Sequence, residues 1–202
     1  AANLSGAITA GTLAAGDSLA PLAVTTTATK ASDVGSYALM LSPGGVSFAA
    51  GSTATAGDYA ITAQAGTLAV NPRPLTLRAG DKERVYGMAN SSAVYTNGTA
   101  KFRADSATAA SGLVNGDAIA DAVEYIDANA TLTADAGTPN LSVSLKDGAG
   151  NAQLTFSKGK SSNYAISYVD GTLSIVPRLV VLAAKDATRD YGEPNPLPEV
   201  SV

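Results

Sequence analysis

Two stretches of the chain, 105 residues apart, share one pattern that decides the fold. Residues 66–90 read GTLAVNPRPLTLRAGDKERVYGMAN, and residues 171–195 read GTLSIVPRLVVLAAKDATRDYGEPN. Over the longer windows 59–90 and 164–195, 15 of 32 positions are identical without a gap. Tyr, Pro, Arg, Asp and Asn recur among the identities, so chance matching of abundant small residues does not explain the pattern. The sequence therefore predicts tandem units of roughly one hundred residues, each with its own core.

Looser matches extend the repeat upstream. The matching pairs are Gly16-Asp17 with Gly116-Asp117 at an offset of 100, and Asp33/Gly35 with Asp135/Gly137 at an offset of 102. The offset drifts by a few residues, as loop insertions would produce. We expect a first unit at residues 1–72, which begins within the repeat pattern, and a second at 73–177. Residues 178–202 then form either the start of a third unit or a closing strand of the second.

Proline marks each joint between units. Val70-Asn71-Pro72-Arg73 and Val176-Pro177-Arg178 contain no flexible Gly/Ser linker. Proline fixes its own φ and drives the preceding residue toward an extended form. The joints are therefore predicted to be short and stiff, which arranges successive units as an elongated rod.

The strand that follows a joint has two possible partners. If it packs on the preceding unit, the chain is a self-contained monomer. If it packs on the following unit, the first unit has an open sheet edge that Leu179–Leu182 of another molecule can fill. Because consecutive elements usually pack together, we expect the first arrangement, with residues 179–195 ordered against the second unit and the chain monomeric.

Within a unit, apolar residues alternate with polar or small ones, as in half-buried strands. The alternating segments include 75–79, 141–145, 164–169 and 172–176. Two hairpins are expected, one around Asp170-Gly171 and one joining Leu145–Lys146 to Leu154–Phe156. Residues 115–125 are the main helical candidate, with Asp117 as a possible N-cap. The predicted class is mainly β with little helix.

Composition excludes several kinds of site. The chain has no His, Cys or Trp, so zinc sites built from His or Cys, disulfides and Ser-His-Asp or Cys-His catalysis are impossible. A net charge of −4 makes nucleic acid a poor partner. No segment is long and apolar enough to predict a membrane span. The acidic residues show no paired, apolar-flanked arrangement typical of glycosidases, so we expect neither an enzyme nor a cofactor or metal.

Residues 66–90 and 171–195, which contain the proline joints and the Tyr-Gly pairs, resemble the MBG/YDG repeat family. Their shared pattern is Gly-Thr-Leu, a proline joint, a short strand and then Asp-x-x-Arg-x-Tyr-Gly-x-x-Asn. These repeats occur in large bacterial surface proteins, notably filamentous-haemagglutinin-like adhesins exported by two-partner secretion. The resemblance implies a β-grasp-like or related β-rich domain, an extracellular or cell-surface location and a stalk or adhesive role. Met88-Ala89 departs from the family pattern, whereas Glu193-Pro194 fits it.

Two kinds of residue are candidates for a site. The repeated sets are Asp81, Arg84, Tyr86 and Gly87, and Asp186, Arg189, Tyr191 and Gly192. We interpret them as structural turn residues, with Asp bonding backbone amides, Gly at positive φ and Tyr anchored in the core. Tyr95 and Tyr125 are candidate contacts for a glycan through ring stacking. The Gly-rich loops at 115–117 and 147–151 carry oxygen ligands that suit Ca²⁺, but Ca²⁺ needs six or more ligands and neither loop has an EF-hand-like spacing, so plain turns are the favoured interpretation.

Two functions remain open. The favoured one is a stalk segment of a secreted adhesin, a spacer in cell adhesion or biofilm formation and so in virulence. Its partners are the neighbouring repeats of the same chain. The alternative is that the repeats themselves bind a host or biofilm glycan, such as mucin or an exopolysaccharide.

Overall fold

The computed structural model describes residues 4–41, 45–91, 101–108 and 110–197. These residues contain strands, two short 3-10 turns at Ala56–Asp58 and Ser161–Asn163, and no α-helix. The strands in chain order are β1 (Val24–Thr25), β2 (Gly35–Leu41), β3 (Gly66–Val70), β4 (Arg73–Ala79), β5 (Lys82–Val85), β6 (Phe102–Ala104), β7 (Ala118–Ala122), β8 (Tyr125–Ile126), β9 (Ser142–Ser144), β10 (Leu154–Lys158), β11 (Tyr164–Val169) and β12 (Gly171–Val176). The prediction of a mainly β protein is confirmed, whereas the β-grasp arrangement stays a prediction.

The second unit is built from two sheets and a separate strand pair. One sheet has the order β11-β4-β6, the other has the order β5-β12-β9-β8, and β10 pairs with β7. The central strand β4 runs parallel to β11, with Leu75 opposite Ile166, and antiparallel to β6. In the second sheet β5 runs parallel to β12. The chain passes directly from the first of these sheets to the second after β4 and again after β11.

Glycine allows these two crossings to touch. A Cβ added to Gly171 would lie 2.7 Å from the carbonyl oxygen of Gly80 and 2.9 Å from that of Ala79. No side chain fits at such distances. The turn that leads from β4 to β5 therefore lies directly against the turn that leads from β11 to β12.

Among the residues that the structure describes, every fully buried apolar side chain lies in the second unit. Its buried apolar residues are Leu75, Leu77, Ala79, Ala122, Ala130, Leu141, Val143, Leu145, Tyr164, Leu173 and Ile175. Three of them come from β4, whose inward residues are 8% exposed or less. The period-two pattern of the sequence thus corresponds to one buried and one wet strand face.

The first unit repeats part of this architecture. Its sheet has the order β1-β2-β3, with β2 antiparallel to both neighbours. This arrangement corresponds to β8-β9-β12 of the second unit, because β3 and β12 start at the equivalent glycines Gly66 and Gly171. Among its described residues, 4–41 and 45–70, none is fully buried.

The strand after the first joint packs on the following unit, so the expectation that it closes the preceding unit is wrong. β4 pairs with β11 and β6, and β5 pairs with β12. β4 and β5 together form hydrogen bonds with three strands of the following unit, and Leu75 and Leu77 are buried there. These interactions stabilise the segment more than packing on the preceding unit, its neighbour along the chain, would.

The equivalent segment after the second joint has no such partners. Residues 177–197 are exposed throughout and lie outside any strand. Leu179 is 86% exposed and Leu182 is 91% exposed. The expectation that residues 179–195 are ordered against the second unit is therefore wrong, and the basis for expecting a monomer is removed.

Three local predictions also need correction. Residues 115–125 form no helix, because their alternating residues make β7 and β8, which pair with β10 and β9. The strands on either side of Asp170 do not form a hairpin, since β11 and β12 lie in different sheets. β10 pairs with β7 and not with the strand at 142–144. In each case a partner distant in sequence replaces the local one.

Hydrogen bonds join the two units beside the first joint. The amide of Val34 donates to Asn163 Oδ1 at 2.9 Å, and Asn163 Nδ2 donates to Asp33 Oδ1 at 2.8 Å. Lys160 forms an ion pair with the same Asp33 carboxylate. These contacts hold the pKa of Asp33 below its usual value, chiefly through the Lys160 hydrogen bond. No helix among the described residues has the length and apolarity needed to cross a membrane.

Candidate functional site at the joint

Asp81 ties the strand after the joint to the far end of the same unit. Its Oδ1 atom accepts hydrogen bonds from the Thr172 backbone amide at 2.8 Å and from the Thr172 hydroxyl at 2.9 Å. Because both donors favour the ionised form, they lower the pKa of the Asp81 carboxyl, the amide having the larger effect. This bond fixes the crossing from β4 to β5 onto the start of β12.

Arg84 lies at the centre of the site and is completely buried. Its Nη1 donates to the Met88 carbonyl at 2.9 Å, and its Nη2 donates to the Thr131 carbonyl at 2.6 Å. The side-chain Nδ2 of Asn90 donates to the carbonyl of Ala130, next to Thr131, at 2.6 Å. A buried guanidinium thus binds the turn after β5 to a loop some 47 residues farther along the chain.

Gly87 supplies the sharp bend that the turn needs. Its φ of +78° lies in the left-handed region, which residues with a Cβ rarely adopt. Tyr86 precedes it, and its side chain is 39% exposed. The expectation that this tyrosine anchors the turn in the core is therefore wrong. The buried anchor is Arg84, two residues earlier.

The second copy of the motif has the local turn without the tertiary contacts. Arg189 Nη1 donates to the Glu193 carbonyl at 3.0 Å, which is the equivalent of the Arg84–Met88 bond. Gly192 has a φ of +92°. Asp186 is exposed, and Tyr191 is fully exposed. The local turn thus forms at the second copy without the tertiary contacts that dock it at the first.

A tyrosine–aspartate pair also recurs in both units. In the second unit Tyr164 Oη donates to Asp117 Oδ2 at 2.7 Å and accepts from the Val114 amide at 3.2 Å. In the first unit Tyr59 Oη donates to Asp17 Oδ2 at 2.6 Å and accepts from the Ala14 amide at 2.9 Å.

The pair explains two of the sequence matches. Burial raises the pKa of Tyr164, and the bond to Asp17 raises that of Tyr59. The recurrence of Tyr-Ala-Ile and of Gly-Asp was visible in the sequence, but only the fold joins the two matches into one contact.

Of the two candidate glycan contacts, Tyr125 lies among the described residues. Tyr125 lies in β8, half-buried, with Ser144 as its cross-strand neighbour. Tyr95 lies outside the described residues.

The Gly-rich acidic loops are closed by their own backbone. Asp147 Oδ1 accepts hydrogen bonds from the amides of Ala149 at 3.0 Å and Asn151 at 2.8 Å. The Asn151 amide is the main cause of the lowered pKa of Asp147. Asp117 is bonded to Tyr164. Within the described part of the chain, no three acidic side chains are grouped as a metal site requires.

Because these carboxylates already accept protein hydrogen bonds, we expect Ca²⁺ to have little effect on stability. The melting temperature of the chain should be the same in millimolar Ca²⁺ and in EDTA, since only a ligand that binds the native state raises it. A rise of several degrees with Ca²⁺ but not with Mg²⁺ would contradict this expectation.

We expect Tyr86→Ala to destabilise the second unit by no more than about 1 kcal/mol, because much of the ring is already in water. Tyr164→Ala is the matched comparison. That ring is 6% exposed and stacks on Phe156 with 6.0 Å between centroids, so its loss should cost about 3–5 kcal/mol. Urea unfolding of both variants measures the difference. Equal losses would show that Tyr86 is a core residue after all.

Comparison with known proteins agrees with this division of the chain. The family model described as MBG domain (YGX type) matches residues 75–174. No curated protein and no solved structure matches the chain. The matched range begins within β4 and ends within β12, so it coincides with the unit whose two sheets and core are described above. Residues 75–174 of this chain are an MBG domain of the YGX type.

Proposed function

We propose that the chain is a stalk segment of a large secreted surface adhesin, in which each unit acts as a spacer. The main support is the family, since an MBG domain indicates a repeat domain of surface proteins. The observation that carries the spacer role is the joint itself. Only Asn71 and Pro72 separate β3 of the first unit from β4 of the second.

The contacts beside the joint support a rod of fixed geometry. Asp33 bonds to Asn163 and Lys160 across the boundary, and Asn163 also receives the Val34 amide. The joint has no flexible residues that would let the units swing freely. A two-residue proline connection with a lateral contact restricts the angle between neighbouring units.

The proposal includes an extracellular or cell-surface location and no catalysis. A spacer needs no reactive group. The hydrogen bonds of Asp81 and Arg84 hold the turn after β5 and the loop at 130–131 in place. The glycan-binding alternative names Tyr95 and Tyr125 as stacking contacts, of which the described one, Tyr125, is half-buried.

Small-angle scattering on the full chain tests the spacer role. We expect a profile that one interdomain angle describes, and a broader ensemble for the variant Pro72→Gly combined with Asp33→Ala. The matched control is Asp58→Ala, which removes a carboxylate that caps a local turn through Thr55. A wild-type profile that itself requires a wide range of angles would contradict the proposal, and specific binding on a glycan array would favour the alternative.

A further inference from the structure

The strands that adjoin the two joints form one continuous parallel ribbon. β4 pairs with β11 over six consecutive residue pairs. β5 follows β4 along the chain and pairs with β12, which follows β11, over four more. All these pairs run in the same direction, and hydrogen bonds between parallel strands are evenly spaced. We call β4, β5, β11 and β12 together the joint ribbon.

The two joints lie at opposite ends of the joint ribbon. Pro72 directly precedes Arg73, the first residue of β4, and Pro177 directly follows Val176, the last residue of β12. Tension between the joints therefore pulls β4 and β12 in opposite senses, mainly along the strand direction. In this geometry the residue pairs of the ribbon are loaded in shear, all together and not one after another.

The crossing of the ribbon between the two sheets is closed by further contacts. Only Asp170 separates β11 from β12, fewer residues than a tight hairpin needs, so the ribbon bends there and does not reverse. Gly171 packs against the backbone of Gly80. Asp81 Oδ1 accepts hydrogen bonds from the Thr172 amide at 2.8 Å and from the Thr172 hydroxyl at 2.9 Å. The crossing thus adds bonds between the two halves of the ribbon.

The strand at the first joint is also held on its other side. β4 is the central strand of its sheet and pairs with β6 as well as with β11. Nearer the joint, the Gly112 amide donates to the Pro74 carbonyl at 3.0 Å. Arg73 Nε donates to the Gly112 carbonyl at 2.9 Å, and its Nη2 donates to the Ser111 carbonyl at 2.8 Å. A pull on the first joint therefore acts on bonds on both sides of β4.

The strand at the second joint is held in the same way. β12 lies inside its sheet, between β5 and β9. The Tyr86 amide donates to the Val176 carbonyl at 2.9 Å, and the Gly137 amide donates to the Ile175 carbonyl at 2.8 Å. Leu173 and Ile175 are buried, so their side chains must also leave the core before β12 can slide. Hydrogen bonds shielded from water in this way are stronger than exposed ones.

We propose that the second unit is a force-bearing clamp, in which the joint ribbon resists tension applied between Pro72 and Pro177. The inference rests on the proposed spacer role, because a stalk segment carries tension whenever its two ends are pulled apart. Shear loads the residue pairs of both halves of the ribbon at once, whereas a pull from one end breaks them singly. Forced unfolding depends on the unfolding rate, so the direction of the pull changes the force even when the free energy of unfolding is the same.

Single-molecule pulling on the full chain tests the clamp. Because the chain contains no cysteine, two introduced cysteines can carry the handles. The variant Asn71→Cys/Leu179→Cys places the handles just outside the two joints, at exposed positions. The variant Asn71→Cys/Ser162→Cys is the matched control. It pulls apart Arg73 and Tyr164, which face each other at one end of the ribbon, and so unzips the β4–β11 pairs one by one.

The two directions of pulling have opposite expected outcomes under the clamp and without it. At the same loading rate, the unfolding force between the joints should be at least about twofold higher than the force in the control direction. Equal forces, or a lower force between the joints, would overturn the proposal. Neither result bears on the spacer role, which requires a fixed angle between units and is tested by small-angle scattering.

Asp81→Ala gives a second measurement, at the crossing. Loss of the two bonds to Thr172 should lower the ratio of the joint-to-joint force to the control force by at least about a quarter. Unzipping breaks the β4–β11 pairs before the load reaches the crossing, so the control force should change little. Asp121→Ala is the comparison, since its carboxylate pairs with Lys101 outside the ribbon and its loss should leave the ratio unchanged. A fall of both forces by the same factor in Asp81→Ala would contradict the clamp.

Discussion

Arg84→Ala should destabilise the second unit by about 3–5 kcal/mol, because buried carbonyls lose their donor and a large buried side chain is removed. The guanidinium is completely buried and bonded to the carbonyls of Met88 and Thr131. Its removal leaves these acceptors without their donor and opens a cavity between the turn and the loop at 130–131. Each effect alone costs about 1–3 kcal/mol. Urea unfolding monitored by tyrosine fluorescence measures the loss.

The repeat provides the control for this variant. Arg189 occupies the equivalent position in the second copy and bonds only to carbonyls of its own turn. At concentrations where the chain is monomeric, Arg189→Ala should leave the unfolding of the second unit unchanged. A large loss from Arg189→Ala, or a small one from Arg84→Ala, would contradict the assignment of the first joint motif to the following unit.

Leu77→Ala should cost the second unit about 2–5 kcal/mol. Leu77 is fully buried at the centre of β4 and lies opposite Tyr168 of β11. Because strands pair with it on both sides, the structure collapses poorly around the missing side chain. We therefore expect the decrease in the free energy of unfolding to lie in the upper part of that range. The measurement is again the free energy of unfolding.

Leu182→Ala is the matched comparison at the same repeat position. Its side chain is 91% exposed, so truncation removes no buried contact within the monomer. We expect no change in the free energy of unfolding of the second unit. If Leu182→Ala destabilised the dilute chain as much as Leu77→Ala does, the tail would have to pack on its own second unit.

Several strands could be predicted from the sequence because their signals are local. The period-two alternation at 75–79 and 164–169 marks β4 and β11, and the family resemblance is confirmed. The helical candidate failed for a physical reason. Alanine-rich residues 118–122 have helix propensity, but pairing with β10 outweighs that weak preference.

Pairing partners could not be predicted, since strand pairing is decided by packing over long distances. Asp170-Gly171 has the composition of a hairpin turn. Here it leads from one sheet to the other, because Gly171 contacts the backbone of Gly80 at a crossing 91 residues earlier in the chain. The role of Arg84 was missed for a similar reason. Besides Met88, its carbonyl partners lie 46 and 47 residues away, and a backbone carbonyl leaves no signature in the sequence.

The most direct test of the account is amide hydrogen exchange on the dilute full chain, resolved by residue. The central claim is that the strand after a joint completes the following unit. We therefore expect strong protection for Leu75–Ala79 and Tyr164–Val169, and rapid exchange for residues 60–64 and 179–184. Rapid exchange along Leu75–Ala79, or protection of residues 179–184 in the monomer, would contradict the claim.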